Sequence, residues 1–360
     1  MLRRLLLAGS PIPAVAFALS LALAATAGAD DVVLVPNSTV KNALGGRVKG
    51  AIQSESPTEV VVKLGANTTT VPTGEIASVK YDNEPPSLIL AQSKEAAGLL
   101  AEASDLYKKA VSEASGKPFI AQAAQFHQAY ALAQLALSDP SRASEAVNQL
   151  ESFVNAYPNG RHIVSALDTL ARLQLQKGDY AVVERTIARM DKQPQSTDRA
   201  AVLKAKVFAK QGNYEKAIAE LDRLIQGAPE GSVRRREAQL ARAECLVGQK
   251  KFAEAEAALR DVIKATPAED AQVQSAAYNT LGDCLHAAGK PKDALWAYLH
   301  TDMLYAKDKE QHTRSLADIA RLWRELKHDD RADEYWQRLK QEYPASPWLT
   351  SARSTASANP

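Results

Sequence analysis

"YNTLGDCLHAAGKPKDALWAYL", residues 278–299, raises a choice between two chemistries. Asp283, Cys284 and His286 lie within four positions and are the three side-chain types of a thiol nucleophile, its base and the group that orients that base. A helix would keep them apart. Residues two apart on a helix point about 200° away from each other, so Cys284 and His286 could not share a proton there. The rest of the chain decides whether the stretch is helical.

Pieces of the C-terminal two-thirds line up on one another: "GDYAVVERTIARM" at Gly178, "GNYEKAIAELDRLIQGAP" at Gly212, "KKFAEAEAALRDVIKATP" at Lys250, "GKPKDALWAYLHTDML" at Gly289 and "KHDDRADEYWQRLKQEYP" at Lys327. The position that follows each turn falls at Val183, Ala217, Ala255, Ala294 and Ala332, giving spacings of 34, 38, 39 and 38. The whole region is rich in Ala, Leu, Glu, Lys, Gln and Arg, which is helix composition. A period of this size marks a stack of helical hairpins, none of which can bury its apolar face alone.

The repeat resembles the tetratricopeptide repeat. Tyr278, Leu281, Gly282 and Leu285 match the first part of its pattern, as do Leu316, Ile319, Ala320 and Trp323, and Leu167, Leu170 and Ala171. The resemblance implies small residues where the two helices of a unit cross, at Ala171, Ala205, Ala243, Gly282 and Ala320, and stops at Pro229, Pro267 and Pro344. It covers about Phe119 to Pro344, six hairpins, with a looser first unit ending at Pro158. Two departures stand out: repeats of 38 and 39 residues exceed the usual 34, and Ala306 occupies the place of a stop proline. On this reading "GDCLH" is part of a first helix, and the catalytic reading recedes.

The family's binding surface is the concave face lined by first helices. Carried over by position, that face would present Arg172, then Arg199, Lys206 and Lys210, then Glu237 and Glu244, then Asn279, Asp283 and His286, then Arg314, Arg321 and Arg324. Those positions are equally what a solvated helix face would show. The last three fall within ten residues and suit an acidic peptide segment, because guanidinium pairs bidentately with carboxylate.

From Asp30 to Pro86 the texture differs. "DVVLV", "GRVKGAIQ", "TEVVVKL", "NTTTVP" and "EIASVKY" are short and rich in Val, Ile and Thr, with Gly, Asn, Ser and Pro between them, a strand-and-turn pattern. Val48 and Ile52 can face inward with Lys49 outside, whereas Ile76 and Val79 need a bulge to share a face. Five such strands resemble a small SH3-like or Sm-like barrel in number and spacing. Pro85-Pro86 closes the segment.

Residues 1–29 read as a secretory signal peptide: Arg3 and Arg4, an apolar stretch broken by Ser10, Pro11 and Pro13, then small residues ahead of Asp30. No cysteine stands near the cleavage site to carry a lipid. Cleavage takes Lys+Arg from 44 to 42 against Asp+Glu 42, a neutral balance unlike that of a nucleic-acid binder. Cys245 and Cys284 hold the same place in consecutive repeats, on helices expected to be about 8–10 Å apart, beyond the reach of a disulfide, so two buried thiols are expected. The six histidines form no zinc pattern, and no phosphate loop or nucleophile elbow is present.

The expected protein is mainly α: a signal peptide at 1–29, a small all-β barrel at 30–86, a lead-in helix at 87–118, a tetratricopeptide solenoid at 119–346 and a short tail at 347–360. Its expected role is that of an exported, non-enzymatic scaffold that binds protein or peptide partners in the cell envelope, without a cofactor, without nucleic acid and without a membrane span once the leader is cleaved. A cell-wall polymer bound by the barrel is the alternative. An enzyme with its site where barrel meets helices is the third reading, although that segment holds no His or Cys and its acids are widely spaced.

Overall fold

The computed structural model describes residues 29–349, so the leader up to residue 28 and the tail from residue 350 lie outside the described residues. Five strands come first: β1 (Asp30–Leu34), β2 (Arg47–Glu55), β3 (Glu59–Leu64), β4 (Asn67–Pro72) and β5 (Ile76–Lys80), with one 3₁₀ turn, Thr73–Glu75, between the last two. They form one antiparallel sheet in the order β4-β3-β2-β1-β5. Burial alternates along β2, with Val48 and Ile52 inside and Lys49 outside. The register shifts between Val33 and Leu34, and this irregularity sets Leu34 opposite Ile76 and Val32 opposite Val79, so both β5 residues reach the core side. β2 and β3 pass so close at Gly50 that a Cβ there would stand 2.4 Å from the Lys63 carbonyl oxygen.

The sheet does not close a core of its own. Val32, Val60, Val62, Val71 and Tyr81 pack with Leu88 and Ala91 of α1 (Pro86–Ala96), Tyr107 and Ala110 of α2 (Leu100–Glu113), and Ile120 and Ala124 of α3 (Pro118–Ser138). The stretch read as one lead-in helix is two, α1 and α2, because Gly98 takes a left-handed φ of 74° and turns the chain. Polar groups cross the same junction. The Glu55 carboxylate is fully buried and accepts from the Tyr81 hydroxyl at 2.8 Å and the Gln122 amide at 3.1 Å; Arg161 lies 3.5 Å from it and donates to the Tyr81 oxygen at 3.3 Å. A buried charge pair of this kind fixes geometry more than it stabilises.

Twelve further elements make six antiparallel hairpins: α3 with α4 (Ala143–Ala156), α5 (Ile163–Lys177) with α6 (Tyr180–Met190), α7 (Thr197–Lys210) with α8 (Tyr214–Gly227), α9 (Val233–Gly248) with α10 (Phe252–Ala265), α11 (Ala271–Ala287) with α12 (Pro291–Leu304), and α13 (Lys309–Glu325) with α14 (Asp329–Glu342). The turn inside each of the last five is one motif. Its left-handed residue is Gly178, Gly212, Lys250, Gly289 and Lys327, with φ of 76°, 79°, 61°, 76° and 65°. Between hairpins the chain restarts on Ser232, Asp270 and Asp308, whose side chains accept from the backbone N–H three residues on. The apolar cores run from hairpin to hairpin: one joins α3 through α7, the next α7 through α9, the next α9 through α14.

Three measurements test this account. Arg161→Met leaves the Glu55 charge buried and should cost about 3–5 kcal/mol in urea unfolding, with most of it recovered in Arg161→Met/Glu55→Gln; additive losses would contradict the pairing. His162 stacks on Phe126 with centroids 4.2 Å apart, and burial, then Arg161, then His127 hold its pKa well below the usual value. The folded protein therefore keeps His162 neutral while the unfolded chain takes a proton below about pH 6.5, so stability falls as pH drops through that value. His162→Phe should flatten that slope between about pH 6.5 and 5, read by thermal melts across the range. Lys250→Gly removes a left-handed side chain at no packing cost and should raise stability by about 1 kcal/mol, whereas Gly212→Lys at the equivalent turn should lower it similarly.

Candidate partner-binding surface

Small residues let the two helices of a unit draw together. Ala171, Ala205, Ala243 and Ala320 are buried, and at Gly282 an added Cβ would lie 2.6 Å from the Tyr298 ring of the paired helix. Backbones come within 8 Å, Cα to Cα, between α3 and α5, α5 and α7, α7 and α9, α9 and α11, and α11 and α13. They also do so between α13 and α3. The six first helices therefore close a ring, with the second helices outside it, where an open concave face would have left the two ends apart.

Charged groups of these helices act on one another across the ring. Burial lowers the pKa of Arg172 on α5, and Asp168, then Glu237 on α9 and Glu310 on α13, more than offset it. Glu310 is pushed up by burial and by Asp308, and held back by Lys206 on α7, Arg172 on α5 and Arg314. Side chains of four helices thus share one lumen. Arg172 keeps 43% of its side chain exposed there.

The positions carried over from the repeat pattern separate into three groups. Arg172 pairs with Asp168 at 2.9 Å along its own helix. Arg199 and Lys210 are exposed, Lys206, Glu237 and Glu244 half-buried, and among the described residues no side-chain hydrogen bond or ion pair engages these five. The rest are engaged. Asn279 is fully buried and its amide donates to the Gln311 carbonyl at 2.9 Å and side-chain oxygen at 3.0 Å, so it lines no accessible surface. Arg314 pairs with Asp283, Arg321 with Asp318 at 2.8 Å and Arg324 with Asp333 at 2.7 Å.

The three arginines are therefore not a free clamp for an acidic segment. Sequence reasoning weighed them without Asp318, four residues after Arg314 and three before Arg321, which is the spacing of helix neighbours. Asp283 comes from the preceding repeat and Asp333 from the following helix, and only the packing shows them. Burial, opposed by Asp283 and Asp318, leaves Arg314 with its pKa above the ordinary value; burial also raises that of Asp318 against the pull of Arg314 and Arg321. Glu310 was not singled out in the sequence, since one acid at a helix start carries no signal of what faces it.

The Asp-Cys-His stretch is dispersed over three neighbours. The Cys284 thiol donates to the Phe252 carbonyl at 3.3 Å, His286 meets Glu325 at 2.8 Å, and Asp283 accepts from the Tyr298 hydroxyl at 2.7 Å. Both cysteines are free and buried, and burial pushes Cys245 up to about 11. Among the described residues no group of three or more His, Cys, Asp or Glu could hold a metal ion, and no helix is long and apolar enough to cross a membrane.

Family models described as tetratricopeptide repeat match residues 169–232, 208–278 and 318–346. No curated protein matches the chain. Among solved structures, human IFIT1, a dimer with m7Gppp-AAAA, is 15% identical over 71% of this chain and 57% of its own, with a TM-score of 0.54. A Rap protein complexed with Competence and Sporulation Factor is 13% identical over 74% of this chain and 79% of its own, at 0.50. A tetratricopeptide repeat protein from Parabacteroides merdae is 14% identical over 74% and 97%, at 0.49. The motif, the hairpins and the matched segments agree: residues 169–278 and 318–346 are tetratricopeptide repeats.

Proposed function

We propose that the protein is an exported, non-enzymatic scaffold of the cell envelope that holds a protein partner in the lumen of its repeat ring. What supports this reading is that Arg199, Lys206 and Lys210 of α7 and Glu237 and Glu244 of α9, a neighbouring first helix, are exposed or half-buried and, among the described residues, make no side-chain hydrogen bond or ion pair. Unpaired charges of both signs at equivalent places in consecutive repeats favour a polypeptide over a polyanion, and so does the neutral charge balance of the mature chain. Export rests on the leader at 1–29. The sheet is read as an SH3-like barrel on its strand order, with β1 between β2 and β5 and a single 3₁₀ turn before β5.

Of the solved structures with similar folds, the Rap protein is in complex with Competence and Sporulation Factor and IFIT1 is with m7Gppp-AAAA. Proteins of similar fold thus accompany more than one ligand chemistry, and we read the unpaired charges of this chain as what selects its partner.

A photo-crosslinking residue at Lys206 in the source organism, compared with one at exposed Lys216 on the outer helix α8, tests the lumen. Position 206 should yield partner crosslinks absent from position 216; indistinguishable profiles would rule out a lumen site. Intact mass of the protein from the same cells should correspond to a chain beginning at Asp30, and a mass retaining Met1 in the cytoplasmic fraction would overturn export.

A further inference from the structure

β4 is an edge strand. It pairs with β3 from Asn67 to Pro72 without a break in register and, among the described residues, has no strand on its other side. Exposed edges are ordinarily blunted by shortness, charge or bulges. β5, the opposite edge, has five residues, ends on Lys80 and meets β1 across a register shift. β4 has none of these protections: residues 67–71 are Asn-Thr-Thr-Thr-Val, uncharged, regular and β-branched after the first, with proline only at the end. Its outward N–H and C=O groups form an unbroken template.

Beside that edge runs a second wall. A cleft of about 330 Å³ is lined by Thr68, Thr69 and Thr70 on one side and by the loop at 39–42 on the other, with Glu75 beside them. The loop is fastened. Ser38 donates to Glu75 through its hydroxyl, and Thr39 through its backbone N–H at 2.8 Å and its hydroxyl at 3.0 Å. Those bonds, Ser38 first and the Thr39 N–H second, hold the Glu75 carboxyl below its ordinary pKa and occupy both oxygens. Lys41 is exposed on that lining and, among the described residues, meets no carboxylate.

We propose that the cleft between β4 and the 39–42 loop receives an extended polypeptide segment of a partner protein, which adds to the sheet as a sixth strand and places an acidic residue against Lys41. Backbone pairing supplies the affinity, and the threonine row with Lys41 supplies the selectivity. A second copy of this sheet would have to displace the fastened loop to pair through the same edge, whereas one strand, about 4.8 Å from its neighbour, need not. The site is independent of the ring lumen.

The test uses the full mature chain and a fluorescein-labelled peptide of alternating Thr and Val, eight residues long, with Glu at one end. Anisotropy should show saturable binding, and amide exchange should slow at alternate residues of β4. Methylation of alternate backbone nitrogens of the peptide should weaken binding at least about tenfold, since each removes one ladder hydrogen bond. Lys41→Glu should weaken the acidic peptide and spare one with Lys in place of Glu. Thr68→Lys/Thr70→Lys, a variant that keeps the fold if its circular dichroism and melting point are unchanged, should weaken both. Absence of binding, equal binding of the methylated peptide, or protection falling outside β4 would each overturn the proposal; loss of crosslinks at Lys206 would leave it standing.

Discussion

From α5 onward the first helix of each unit carries a buried alanine or glycine, Ala171, Ala205, Ala243, Gly282 and Ala320, too small to keep its neighbour away. Where Gly282 lies under the Tyr298 ring, a single added carbon would collide with the aromatic carbons; between units, Gly248 of α9 meets Tyr214 of α8 in the same way. Close crossing fixes the angle between the helices of a unit, and that angle, repeated through six units, bends the array. The bend is large enough to bring α13 back against α3. Ring, lumen and the gathering of Arg172, Glu310 and Arg314 all descend from that bend.

At the other end, the sheet and the first hairpin are held together twice. The apolar contact of Val60, Val62 and Val71 with α1, α2 and α3 buries the face that a five-stranded sheet cannot cover alone. The Glu55, Tyr81, Gln122 and Arg161 cluster then allows only one arrangement, because any slip leaves a charge buried without its partner. Strands and helices thus form one body across Pro85-Pro86, although composition changes sharply there. A composition change reports a change of secondary structure; whether the cores separate depends on which faces are apolar.

Local features were legible in the sequence because local forces set them. The five strands, the left-handed turn residues, the stop prolines and the small crossing residues all follow from patterns within about ten positions. That Ile76 and Val79 could share a side only across a bulge was readable from β5; that the irregularity lies at Val33–Leu34 of β1 was not. The two lead-in helices were not separated, since Gly98 in an alanine-rich run reads as one weak residue in a helix rather than a turn. The ring was out of reach, for its closure sums small rotations over six hairpins and leaves no mark on any one of them. The arginines of α13 failed for a related reason: two of their carboxylates come from α11 and α14, and only Asp318 was within helical spacing. Asn279 was placed on a solvated face because periodicity cannot foresee that a neighbouring repeat, through Gln311, covers it.

The α13–α3 contact also changes how the array should come apart. In a linear stack the terminal units fray first, since each has one neighbour and stability is a sum of nearest-neighbour terms. Joining the ends gives the last hairpin a second neighbour, and the first already has one in the sheet with α1 and α2, so no unit is terminal in the energetic sense. Unfolding then approaches a single concerted event, and deleting the last hairpin would expose the first one as well, at the far end of the polypeptide.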